Sequence, residues 1–155
     1  MKYHLSLFSG IVPMACLIGI LTCQSVVGQE FKVIANASTK LQDTDLVTIE
    51  RLFLGKSRRV NGQSILIVLY RQNEVQRKLA RALTNKTENR FLNYWKRMVF
   101  TGKAVMPQYV GDETAMIEYV KKNRGAIGFV SADRKVTEPG VIVVNLASAA
   151  TADSR

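Results

Sequence analysis

Apolar positions along this chain follow two spacings, and the spacing sets the element each run predicts. Phe31-Lys32-Val33-Ile34-Ala35 reads as a first strand, and Ile65-Leu66-Ile67-Val68-Leu69 is a continuous aliphatic run. A run without alternation suits a strand covered on both faces, as in a parallel sheet. Ala126-Ile127-Gly128-Phe129-Val130 and Val141-Ile142-Val143-Val144 read as the last strands. Between these runs the spacing turns helical. Leu46, Ile49, Leu52 and Phe53 mark a short helix over Leu46–Leu54, capped by Asp45 and closed by Gly55. Asn73 caps a second, with Val75, Leu79, Ala82 and Leu83 on one face. Asn85 with Glu88 three residues on predicts a capping box for a third helix to about Phe100, presenting Phe91, Tyr94, Trp95, Met98 and Val99. Asp112 caps a fourth, with Met116, Ile117 and Val120 apolar, a cationic last turn, and Gly125 as its stop. Asn61-Gly62 is a tight-turn signal. The order predicts an α/β domain with a mostly parallel sheet flanked by helices.

The N-terminus is different. Lys2 and His4 precede an apolar run from Leu5 to about Leu21, and Val26 and Gly28 place small residues where a signal peptidase reads. The pattern predicts a signal peptide over 1–28, a domain over 29–147 and a disordered tail over 148–155. An uncleaved anchor and a lipoprotein attached at Cys23 are the alternatives. The apolar run lies near the lower length for spanning a membrane and carries Pro13 and Gly10. Thr22 is a poor neighbour for lipid attachment. The expected location is the periplasm.

This cut changes the chemistry. Cys16, Cys23 and His4 all lie in the leader. The remaining chain has no thiol, disulfide-linked partner or Cys/His metal site, and Cys–His or Ser–His catalysis is excluded. No carboxylate spacing suggests an acid/base pair, so no enzyme and no cofactor is expected. The full chain carries 22 Lys and Arg against 12 Asp and Glu; losing Lys2 leaves 21 against 12, a net of +9. That charge favours anionic partners, through specific sites or through charge alone. Specific nucleic-acid recognition is not expected. Trp95, Phe91 and Tyr94 follow helical spacing, which suits a core or an interface better than a base-stacking platform.

Three loops could hold an anion. Tyr70-Arg71-Gln72-Asn73 lies where a buried strand hands over to a helix N-terminus, whose first N–H groups are unpaired and whose dipole is positive. Arg71 adds a bidentate donor. The alternative is that Gln72 and Asn73 only cap the helix while Arg71 faces water. Thr101-Gly102-Lys103 and Gly111-Asp112 place small and hydrogen-bonding residues at other helix ends, where capping alone is the alternative. Gly55-Lys56-Ser57 resembles the end of a P-loop, but the first glycine would fall at Glu50 and the tripeptide follows a helix. Asn36-Ala37-Ser38 and Asn85-Lys86-Thr87 are glycosylation sequons, relevant only in a host with that machinery.

Three segments together carry a resemblance: Leu52-Phe53-Leu54-Gly55-Lys56, the stretch from Tyr94 to Lys103, and Gly125-Ala126-Ile127-Gly128-Phe129-Val130. The chain from about Phe31 to Asn145 resembles short, single-lobe relatives of the periplasmic phosphate-binding proteins of ABC transporters, which have the type-II periplasmic binding-protein fold. The resemblance implies phosphate or a similar oxyanion, held by backbone N–H groups, hydroxyls and an arginine, and a transporter or sensor membrane protein as partner. Its Ser-Gly-Thr type turn maps to Tyr70-Arg71-Gln72-Asn73, which keeps an arginine but not the glycine or the hydroxyls. The implied ligand residues are Arg71, Gln72 and Asn73, with Thr101, Gly111 and Asp112 nearby. An interaction protein that uses its basic or aromatic surface on the same fold is the alternative.

Overall fold

The computed structural model describes residues 30–147. The leader read over 1–28 and the tail read over 148–155 lie outside the described residues. In chain order the elements are β1 (Phe31–Asn36), β2 (Asp43–Asp45), α1 (Leu46–Phe53), β3 (Arg59–Val60), β4 (Gln63–Ser64), β5 (Leu66–Tyr70), α2 (Glu74–Thr84), α3 (Glu88–Phe100), β6 (Gln108–Val110), α4 (Glu113–Lys122), β7 (Ala126–Ser131), β8 (Val141–Val143) and β9 (Asn145–Ala147).

The main sheet has five strands in the order β6-β5-β7-β1-β8. β5 lies parallel to both β6 and β7, pairing Leu66 with Ala126 and Tyr70 with Val110. β1 runs antiparallel between β7 and β8. The strands therefore share one direction except β1, which opposes its neighbours on both sides. The two aliphatic runs, β5 and β7, are adjacent and central, which explains why neither alternates apolar with polar residues.

Side chains alternate across a strand, so Gly128 and Phe129 of β7 face opposite layers. Gly128 has no side chain because Met116 and Val120 of α4 press against the strand there. Phe129 carries the other face, meeting Phe53 at 5.7 Å and Tyr70 at 5.1 Å, both edge-on. Helices therefore cover both faces. β2 pairs with β9, while β3 and β4 form a hairpin whose turn residues Asn61 and Gly62 have φ of 51° and 78°. Two positive φ values in succession match the twist of a tight hairpin.

The caps form as expected for three helices. Asp45 accepts from the Thr48 N–H, Asn73 from Val75 and Asp112 from Ala115. The capping box at Asn85 and Glu88 does not form. Asn85 closes α2 at φ 51°, and Thr87 precedes α3 without a side-chain cap bond. With two helices joined so closely, the chain needs a left-handed residue to end the first, and asparagine tolerates that conformation. Ala82 is exposed; the buried stripe of α2 is Val75, Gln76, Leu79 and Ala80. Leu46 is likewise exposed, so α1 buries only Ile49, Leu52 and Phe53. Asn36 is buried, and its Nδ2 donates to the carbonyls of Val120 and Lys121, satisfying the end of α4. Among the described residues no helix is long and apolar enough to cross a membrane.

Candidate functional site

Because β5, β6 and β7 are parallel, their C-terminal ends share one edge of the sheet. In open α/β sheets that edge, where strands hand over to helices, is where ligands gather. The Arg71 N–H donates to the Val110 carbonyl at 3.1 Å, lacing the loop after β5 to the last residue of β6, from which Gly111 and Asp112 follow. Arg71, Gln72, Asn73, Gly111 and Asp112 thus come together. So do the N-termini of α2 and α4. Arg71, Gln72, Gly111 and Asp112 are exposed, and Asn73 is half-buried. Asn73 and Asp112 each satisfy one first-turn N–H, which leaves Glu74, Gln76, Glu113 and Thr114 without intrahelical partners for theirs.

Thr101 is not part of this group. It closes α3 before the chain enters β6, at the edge where β6 begins. Its hydroxyl donates to the Arg97 carbonyl at 2.8 Å.

The loop after β7 joins the same edge and supplies residues that the sequence alone does not single out. The Ser131 N–H donates to Glu113 Oε1 at 2.7 Å, and Lys32 Nζ donates to the Arg134 carbonyl at 3.0 Å. Arg134 Nε is buried with no partner among the described residues. Such a group is costly unless something completes it. The one signal in the chain is that Ser131-Ala132-Asp133-Arg134 follows a buried strand, as Arg71-Gln72-Asn73 does.

The edge is electrostatically mixed. Ser131 and Lys32 hold the exposed Asp133 carboxyl below its usual value, the serine hydroxyl first. The Asp45 carboxyl, remote in sequence at the start of α1, is lowered chiefly by the Thr48 hydroxyl and N–H. Tyr70 lies under the edge, and its hydroxyl donates to the Phe129 carbonyl at 2.8 Å. Burial pushes its phenol well above the usual value of 10, and Glu113 and Asp112 add to this against Arg134. Tyr94 and Tyr109 are also raised by burial.

These shifts set the alkaline stability. A phenol raised in the folded state keeps its proton where the unfolded chain releases it. Its contribution is fully present below the unfolded value and is lost as pH rises beyond it. Urea midpoints are therefore expected to fall on going from pH 8 to about pH 11. Tyr70→Phe is expected to flatten part of that fall, with Tyr94 and Tyr109 supplying the rest. An unchanged slope in Tyr70→Phe would show that the buried hydroxyl is not the source.

No protein-family model matches the chain, and no curated protein does. Solved structures do match. One is described as a phosphate ABC transporter substrate-binding protein with bound phosphate from Clostridium perfringens, 18% identical with a TM-score of 0.54. The match covers 77% of this chain and 47% of that one. Another is an ABC-type phosphate transport receptor from Vibrio cholerae, 14% identical with a TM-score of 0.48, covering 77% of this chain and 48% of that one. The chain therefore spans about half the length of these neighbours. The likeness to the first shows the fold: an α/β layer of the periplasmic binding-protein kind, in agreement with the resemblance read from the sequence.

Proposed function

We propose that this chain is an exported, single-lobe binding module that holds phosphate or a similar small oxyanion and serves an ABC transporter or a membrane sensor. It binds rather than catalyses. The observation that carries the reading is the Arg71–Val110 bond, which sets an arginine beside two helix N-termini at the end of a parallel sheet. The ligand residues are Arg71, Gln72, Asn73, Gly111 and Asp112, joined by Ser131 and Arg134. The phosphate bound in the Clostridium perfringens protein supports the choice of anion.

The carboxylates at this edge bear on selectivity. An ionised carboxylate only accepts hydrogen bonds. It repels an anion that carries no proton and tolerates one that can donate. Phosphate keeps a proton near neutral pH and sulfate does not, so Asp112 favours phosphate.

The test is calorimetric titration of inorganic phosphate into the leaderless chain, with sulfate and chloride at equal ionic strength. Phosphate at a hundred times its dissociation constant is expected to stabilise the fold by about 2.7 kcal/mol. That corresponds to a melting shift of roughly 3–6 °C for a domain of this size. Arg71→Ala is expected to lose most of the shift while remaining folded, because Arg71 is exposed and supports no core contact. Equal shifts from all three anions, or a wild-type response from Arg71→Ala, would overturn the reading.

A further inference from the structure

The tripeptide Gly55-Lys56-Ser57 has a place in the fold that the strand-edge site does not use. The N–H groups of Lys56 and Ser57 both donate to the Arg51 carbonyl, at 2.8 and 3.2 Å. The backbone is thus occupied and forms no phosphate cradle. The side chains open elsewhere. Thr48 and Arg51 from α1, Lys56 and Ser57 from the turn, and Arg59 and Val60 from β3 line a cleft of about 560 Å³. No carboxylate lines it. Among the described residues, none of Arg51, Lys56, Arg58 and Arg59 is in an ion pair. Asp45 at the head of α1 is engaged by the N–H and hydroxyl of Thr48. The Ser57 hydroxyl donates to the Arg59 carbonyl, and the Arg59 guanidinium reaches the Gly62 carbonyl with one of its donors. Three cations therefore converge with most of their donors unengaged, and an anion relieves their mutual repulsion.

A second cavity of about 380 Å³ adjoins the cleft and shares Ser57 and Arg59 with it. Its walls are chiefly apolar: Ile65, Leu66, Trp95, Ala104, Met106 and Pro107. Met106 is 58% exposed and Val105 63%, so this apolar surface is open to solvent. The volume falls in the range of small-molecule sites, and an exposed methionine adapts to varied shapes. An inorganic ion would leave the apolar walls wet. A molecule with a charged head and an apolar body satisfies both parts at once.

We propose that the cationic cleft and the apolar groove form one composite site for an anionic amphiphile, with its head on Arg51, Lys56 and Arg59 and its body against Trp95 and Met106. The site is separate from the strand edge and independent of what binds there.

Trp95 is the sole tryptophan of the chain, so its fluorescence reports on the groove directly. The probe is dodecyl phosphate below its micelle concentration. Comparison arms are inorganic phosphate, neutral dodecyl maltoside, and vesicles of phosphatidylglycerol. A saturable change is expected with dodecyl phosphate, at least about tenfold tighter than with either small-molecule control, a difference of about 1.4 kcal/mol. The Arg51→Ala/Lys56→Ala double variant is expected to lose at least that factor, and Met106→Asp likewise. Both alter exposed positions, and melting curves confirm that they fold. Arg71→Ala is expected to bind dodecyl phosphate as wild type does, which separates this site from the strand edge. Equal affinity for the neutral detergent, or for inorganic phosphate, would overturn the proposal. So would wild-type binding by the double variant. A response to vesicles alone would make the surface a membrane-docking face and overturn it equally.

Discussion

Gly125→Ala is expected to cost the fold about 2–5 kcal/mol. Two effects add. Gly125 sits at φ 79°, a conformation that L-residues adopt at roughly 1–2 kcal/mol. A Cβ placed there would also stand 2.5 Å from the Ser64 carbonyl oxygen, a backbone atom that cannot swing aside. Relieving such a contact by moving backbone costs about 1–3 kcal/mol. The position has little room to yield. The Gly125 carbonyl accepts from the Leu66 N–H at 2.8 Å, and its own N–H donates to Ser38 Oγ at 3.3 Å. The first of these bonds starts the β5–β7 pairing, on which the central sheet depends. Gly102→Ala is the control. Gly102 also has a positive φ, of 68°, but nothing lies within 4 Å of its Cβ position. It is expected to show the backbone part alone, about 1–2 kcal/mol. Urea denaturation of both variants followed by circular dichroism decides the matter. Equal losses would mean that the approach of Ser64 to Gly125 is not limiting.

How much of this fold can be read from residues alone depends on the length of each signal. β5 and β7 are legible because five apolar positions in a row fit a strand buried on both faces and little else. The observed β5 begins at Leu66 instead of Ile65, because the Ile65 N–H turns to the Arg58 carbonyl. α1, α2 and α4 are legible through their caps, which are local bonds between residues two or three apart. β2, β3, β4, β6 and β9 are not, since two or three residues establish no period. Asn85 misleads because one residue type serves both as a helix start and as a left-handed stop, and only the position of the preceding helix decides between them.

The sites divide in the same way. The Arg71 loop is legible as a handover from strand to helix. Its meeting with Gly111 and Asp112 follows from the β5–β6 pairing. Arg134 is hidden because the next element after β7 is the strand β8 and not a helix, so its loop lacks the second half of that signal. The cationic cleft cannot be read at all. Arg51, Lys56 and Arg59 come from a helix, a turn and a hairpin, and they converge only once α1 is fastened to α3. Trp95 does much of that fastening.

Trp95→Ala is accordingly expected to lose about 3–5 kcal/mol, the range for removing a large buried aromatic side chain. Trp95 is 2% exposed, and its Nε1 donates to the Phe53 carbonyl at 3.0 Å. Tyr94 makes a parallel bond from its hydroxyl to the Leu54 carbonyl at 2.8 Å. Together they hold the end of α1, where the carbonyls of Glu50, Arg51 and Leu52 already accept backbone N–H groups and those of Phe53 and Leu54 accept these side chains. The ring packs close to the turn: a Cβ on Gly55 would meet Trp95 Cη2 at 3.0 Å, which accounts for a glycine there beyond its φ of 63°. Trp95→Phe separates the contributions. It keeps a ring against the turn and removes the indole N–H, so a loss of about 1–2 kcal/mol is expected, mostly from the Phe53 carbonyl. Because the substitution removes the fluorophore, circular dichroism in urea is the measurement. Against a total stability of about 5–15 kcal/mol, Trp95→Ala should stay folded at low temperature and melt early. If both variants lose less than about 1 kcal/mol, α1 is held by something other than Trp95. If Trp95→Phe loses as much as Trp95→Ala, the hydrogen bond outweighs the packing. In the expected order, alanine well below phenylalanine, packing of the indole positions Lys56 and Ser57. The cleft they line then depends on a side chain that lies in the wall of the neighbouring groove.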